Sequence, residues 1–243
     1  MSEIIRTEAI VLNKINFSES SLVVYLFTKH YGLVSVLIKG GRRAKSKFAS
    51  IVDLLNHIQV IFYKKETRDI QILSSADLIS HFPNIKSDLR LLKYGYAICE
   101  LIKNNLIENE INDILFRGLV KILNLLENES EQPAVLFSRF LLFFIKEIGY
   151  DLNLESCYKC SKKFGQNEKP LPFFHDGFLC ESCSLERGIK NNSELFNFLF
   201  CLKKRKNITL TDDKISEDGI NFLINYLKNH LENFRGINSL NLF

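Results

Sequence analysis

The chain has 243 residues, 46% of them hydrophobic and 25% charged, with a formal net charge of +4. These proportions are ordinary for a soluble globular protein, and the length is enough for one large domain or two small ones. They exclude a membrane span: the most apolar stretch, residues 136–145, is too short and carries Arg139, so it reads as a buried helix.

The opening Met1-Ser2-Glu3-Ile4 does not begin a signal peptide, so a cytoplasmic protein with reduced thiols is expected. The charge is unevenly placed. Residues 1–50 carry eight Lys and Arg against three Glu, a net of +5, which leaves −1 for the remainder. Between Ser20 and Val52 there are six basic residues and no acidic one. Lys39, Arg42, Arg43, Lys45 and Lys47 crowd into nine positions, a local positive field that the whole-chain value hides.

Taken in order, the first eighty residues read as strands. Residues 7–12, 22–28, 33–38, 58–63 and 70–73 are rich in β-branched and aromatic side chains, and Gly32 lies in a turn between the second and third. A long basic loop, residues 39–48, follows the third strand. Five short strands suit a small closed barrel; the OB-fold, whose faces and loops bind oligonucleotides, is one candidate and an SH3-like barrel the other. After Pro83 the period becomes helical: Leu89, Leu92, Tyr96 and Cys99 recur on one face, and residues 111–126, 134–148, 193 onward and 214–234 supply further helices. Cys99 and Cys201 sit in these apolar stretches and read as core residues. The expected organisation is a barrel over residues 1–80 and a helical domain over 81–243, an α+β multidomain protein.

Within the helical half lies a cysteine quartet, Cys157-x₂-Cys160 and Cys180-x₂-Cys183, with nineteen residues between the pairs. A two-residue spacer lets one tight turn aim both thiolates at one ion, and two such pairs read as a tetrahedral zinc site. Four thiolates leave no open position, so one structural Zn²⁺ is expected, held in a zinc-ribbon-like insertion over residues 154–188. Asp176-Gly177 is a favoured hairpin turn that would return the second pair to the first. His175 reads as part of that hairpin rather than as a ligand.

The basic loop is the second candidate site, because Lys and Arg contacts to phosphate supply most non-specific nucleic-acid affinity. Tyr25, Phe27, Tyr31, Phe62 and Tyr63 are candidate base-stacking rings, with core or edge packing as the plainer reading. A second basic cluster, Lys203-Lys204-Arg205-Lys206, sits where it would complement a helix C-terminus. The chain has no Walker-type phosphate loop, no His-Glu-x-x-His and no Gly-x-Ser-x-Gly, and no acid–base pair stands out.

Ser18-Glu19-Ser20-Ser21-Leu22-Val23-Val24-Tyr25-Leu26-Phe27-Thr28, then His30-Tyr31-Gly32, Lys39-Gly40-Gly41-Arg42-Arg43, Ser46-Lys47 and the late quartet occur in an order that resembles the bacterial RecO family. The resemblance implies an N-terminal five-stranded OB-fold, a helical domain and a zinc-ribbon-like insertion. It implies binding to single- and double-stranded DNA and annealing of complementary strands. It also implies work with RecR, and often RecF, in loading RecA onto DNA coated by single-stranded DNA-binding protein, whose C-terminal tail the helical domain receives. The implied DNA contacts fall on Arg42, Arg43, Lys45 and Lys47, beside Lys39, and no catalytic residue is implied. Two other readings compete: a zinc-containing nucleic-acid-modifying enzyme, and a zinc-ribbon transcription or adaptor protein.

Overall fold

A computed structural model of the chain describes residues 2–128, 132–165, 168–173, 176–185, 193–204 and 213–241. The chain divides into two compact units, Met1–Glu129 with Ile237–Phe243, and Ser130–Gly236.

In the first unit five strands close a barrel in the order β1-β2-β3-β5-β4: β1 Glu3–Phe17, β2 Ser21–Thr28, β3 Gly32–Ile38, β4 His57–Lys64 and β5 Ile70–Ser80. The parallel β3–β5 pairing, Ser35↔Ile70 to Leu37↔Ile72, together with this order, is that of an OB-fold and decides against the SH3-like alternative. The outer strands run longer than the apolar runs predict. β1 serves two partners, pairing Glu3–Ile10 with β4 and Ala9–Phe17 with β2, and its register shifts between Val11 and Asn13. A bulge bends a strand, and this bend lets one strand close both sides of the barrel. Alternate residues Ile5, Ala9, Val11, Leu22, Val24, Leu26, Val34, Val36, Ile58, Val60 and Phe62 fill the interior.

Helices α1 Pro83–Ser87, α2 Leu89–Asn105 and α3 Asp113–Asn128 belong to the same unit. Glu127, expected in a polar stretch beyond the helix, lies within α3 and caps α1. Its carboxylate accepts the backbone N–H of Asn84 and Ile85 at 3.0 Å each. A 3-10 turn, Asn238–Asn241, is held on α2 by Glu100, which accepts Ser239 N–H at 2.8 Å and Ser239 Oγ–H at 2.6 Å.

The second unit packs α4 Pro133–Glu147, α6 Ser193–Lys203 and α7 Asp213–His230 together. It carries a short hairpin, β6 Leu171–Phe173 and β7 Gly177–Leu179, followed by α5 Glu181–Leu185. Residues 136–145 are indeed in a largely buried helix. Among the described residues no helix is long and apolar enough to cross a membrane.

Candidate nucleic-acid interface and candidate metal centre

The basic segment does not swing freely. It runs from Lys39 to Asn56, longer than expected, and both ends are fastened to the barrel. At its start Arg42 N–H donates to Ser20 O at 2.9 Å, and the Arg42 guanidinium donates to Ser18 O at 2.9 Å and Glu19 O at 3.2 Å. The preceding glycines permit this turn. Gly40 has φ +68, and a Cβ on Gly41 would meet Leu22 at 3.0 Å and Ile38 at 3.1 Å. In the middle Phe48, Ile51 and Val52 pack against the barrel interior.

At the far end the buried Asn56 donates to Ser50 O and Ile51 O at 2.9 Å each and accepts from Lys86 Nζ at 2.6 Å. Asp53 receives Lys14 Nζ at 2.6 Å and Lys86 Nζ at 3.1 Å. Partial burial pushes the Asp53 carboxyl up, but the bonds from Lys14 and Lys86 prevail and hold it below its ordinary 3.8.

Lys39, Arg42, Arg43, Lys45 and Lys47 are all exposed on this anchored segment. Arg42 and Arg43 also border an open groove of about 470 Å³, which Lys14 and Asn16 of β1 line as well. Cations held at fixed points above a groove are suited to a phosphate chain, because little order is lost on contact.

The β2–β3 face, the usual ligand platform of an OB-fold, is partly covered by the chain itself. Lys103 of α2 lies 4.9 Å over the Tyr25 ring. The segment after α2 runs beside β3, with Leu33 bridged to Glu108. Gly32 makes this approach possible: a Cβ there would fall 2.2 Å from Glu110 O.

The proposed stacking rings divide accordingly. Phe27 and Phe62 are fully buried, Tyr31 packs edge-on to Phe62 at 6.2 Å, and Tyr63 is 38% exposed. Of the second basic cluster, Lys203 Nζ pairs with Asp151 at 2.8 Å and Lys204 Nζ with Glu155 at 3.1 Å. Arg205, Lys206 and His175 lie outside the described residues.

In the second unit the four cysteines converge, with the sulfurs of Cys157, Cys160, Cys180 and Cys183 all within 4.8 Å of one another. Cys160 Sγ and Cys180 Sγ are 3.7 Å apart, too far for a disulfide, and all four thiols are free. Zinc–sulfur bonds of about 2.3 Å place tetrahedral ligands about 3.8 Å apart, so the donor set fits a Zn²⁺ ion.

Cys157 is drawn down to about 6. Burial opposes this, but backbone N–H groups of Cys180, Cys160 and Lys159 and the Cys160 thiol stabilise its thiolate. Cys183, hydrogen-bonded to the Cys180 thiol and buried, is pushed up to about 12. The metal would draw the proton from this thiol as well.

Pairing of Phe173 with Gly177 places Gly177 in β7, so Asp176-Gly177 is not the two-residue hairpin turn that the sequence suggests; residues 174 and 175 lie outside the described residues. A turn centred on Asp176-Gly177 would pair the residues directly flanking it, which would leave Gly177 outside the strand. Phe178 anchors the module on the helices, with ring centroids 5.1 Å from Phe196 and 5.2 Å from Phe222. Cys99, by contrast, is fully within the core of the first unit, and burial pushes its thiol up to about 12.

Comparison with known proteins matches this arrangement along nearly the whole chain. The family described as recombination protein O N terminal matches residues 1–82, and that described as recombination protein O C terminal matches residues 86–238. The chain belongs to the RecO family. Similar proteins named DNA repair protein RecO include that of Chlorobium phaeobacteroides, 33% identical over 63% of this chain and 59% of its own length. Those of Clostridium novyi and Clostridium perfringens are each 26% identical. The first match covers 83% of this chain and 77% of the relative, the second 88% of both. For the Chlorobium RecO, then, the shared part is less than two thirds of the relative's length.

Two features of the site were not legible beforehand. Arg42 spends its guanidinium on backbone carbonyls, a role that a run of like charges hides. Phe48, Ile51 and Val52 fasten the segment; their apolar character in a polar stretch was the available signal.

Proposed function

We propose that this protein is a DNA-binding recombination mediator of DNA repair. It binds single- and double-stranded DNA, anneals complementary strands and, with RecR, helps load RecA onto DNA coated by single-stranded DNA-binding protein, in functional connection with RecF. The tail of that coating protein docks on the helical domain. This work belongs in the cytoplasm, at the nucleoid.

The observation that carries the reading is the anchored segment that exposes Lys39, Arg42, Arg43, Lys45 and Lys47 beside a groove of the OB barrel, with no acidic residue before Asp53. Membership of a family whose curated relatives are named DNA repair proteins supports it. Pairing of two strands is opposed by phosphate repulsion, which a fixed row of cations screens. No bond need form or break, so no turnover chemistry of its own is assigned. Zn²⁺ on Cys157, Cys160, Cys180 and Cys183 holds the ribbon-like module together. A division of labour between a DNA-binding barrel, residues 1–80, and a partner-binding helical part, 81–243, completes the reading.

The test is charge reversal. Arg43→Glu, Lys45→Glu and Lys47→Glu together leave the Arg42 anchor in place and should sharply weaken salt-sensitive binding and annealing of labelled oligonucleotides, with the circular dichroism unchanged. Adding Arg42→Glu should remove what remains. Undiminished binding by either variant overturns the assignment, and Mg²⁺-dependent cleavage of the labelled DNA by the parent would favour the enzyme reading.

A further inference from the structure

We propose that the first cysteine knuckle is a second contact point for single-stranded nucleic acid, with the Tyr158 ring stacked on a base and Lys159, Lys162 and Lys163 facing phosphates. This deepens the function proposed above and rests on it. The segment 156–163 contains three lysines and no acidic residue. All three lysines are exposed. Two carboxylates beside the knuckle have partners: Glu155 pairs with Lys204 at 3.1 Å, and Glu168 lies 3.7 Å from Lys162, whose side chain stays 63% exposed.

Tyr158 is 55% exposed. Its inner side rests on the β6–β7 hairpin. The Phe173 ring lies 5.7 Å away at 34°, and a Cβ on Gly177 would come within 3.3 Å of Tyr158 Cδ2. The backbone beneath is locked: Tyr158 N–H donates to Phe178 O at 2.8 Å, Cys157 N–H to Lys162 O at 2.8 Å and Ser161 N–H to Cys157 O at 2.9 Å. Ser161 takes φ 59, which turns the chain so that Lys162 can close this loop. A ring with a fixed apolar floor, an open outer side and cations around it is the arrangement that binds single strands without regard to sequence.

The chain contains no tryptophan, so Tyr158→Trp places a lone tryptophan, excited selectively at the red edge of its absorption, at the site. Titrating that full-length variant with a thymidine homopolymer should quench its emission. By fluorescence anisotropy with the same oligonucleotide, Tyr158→Ala should bind about tenfold more weakly, while Tyr158→Phe binds like the parent. Lys162→Ala with Lys163→Ala should lower the slope of log affinity against log salt by about 1.4. Zinc content, measured for each variant, should match the parent.

Unchanged emission at saturation, together with undiminished binding by Tyr158→Ala, overturns the proposal. The same holds if only a protein partner perturbs the fluorophore. If the basic-segment reversal still weakens binding in that case, the primary interface stands and only the second contact falls. A parent protein that binds no oligonucleotide removes both.

Discussion

Arg42 and His57 show how far a single side chain departs from what its type suggests. Arg42 is exposed, yet its guanidinium closes the β1–β2 turn through two carbonyls. His57 was one of five scattered histidines. It is buried, with Nε2 3.1 Å from Glu8 and its ring 6.1 Å from Phe116. Burial lowers its pKa below 6.5, with a smaller contribution from Lys29, while Glu8 opposes the shift. The unfolded chain therefore binds the proton more readily. The His57 contribution to stability is present above pH 6.5 and is lost as pH falls through 6.5 toward the folded value. Urea midpoints should drop between pH 7.5 and 5.5, and His57→Gln should flatten that part of the profile. An equal drop in the variant would assign the effect elsewhere. The burial arises from strand pairing and from α3, separated from His57 by some sixty residues, so a local reading could not reach it.

At the scale of elements, the β-branched and aromatic runs of β2 to β4 were enough to mark strands, because such side chains favour extended backbone. The extra length of β1 was not legible, since its outer half carries Lys14, Asn13 and Asn16 and is ordered by pairing with β2 alone. The cysteine spacing was fully legible, because the two-residue knuckle is local chemistry. The turn between the pairs was not, since register over the Phe173↔Gly177 pair decided it. The module depends on converging sulfurs and on a small aromatic contact through Phe178. Cys157→Ser with Cys160→Ser should bring zinc content to background. It should lower the thermal midpoint of the second unit by about 5–10 °C and leave the barrel intact. Parent-like stability and metal content in that variant would contradict a structural role for the site.

For the whole molecule, DNA affinity should follow the cations that the first unit holds in place. Five such residues contribute about −3.5 to the slope of log affinity for a single strand against log salt, before any contact by the cysteine knuckle is added. A shallow slope in the parent would mean that apolar or hydrogen-bonded contacts dominate. The sequence by itself determined the local features: strand and helix periods, the acid-free basic run, and the cysteine spacing. Each of these is set by residues within a turn or two of one another. Only the tertiary structure decided that the order of five strands closes an OB barrel. It also decided that α2 and the segment after it cover part of the β2–β3 face, and that the basic run is pinned at both ends. Those outcomes depend on contacts between residues distant in sequence, whose cost in chain entropy is met by burial that no short window contains.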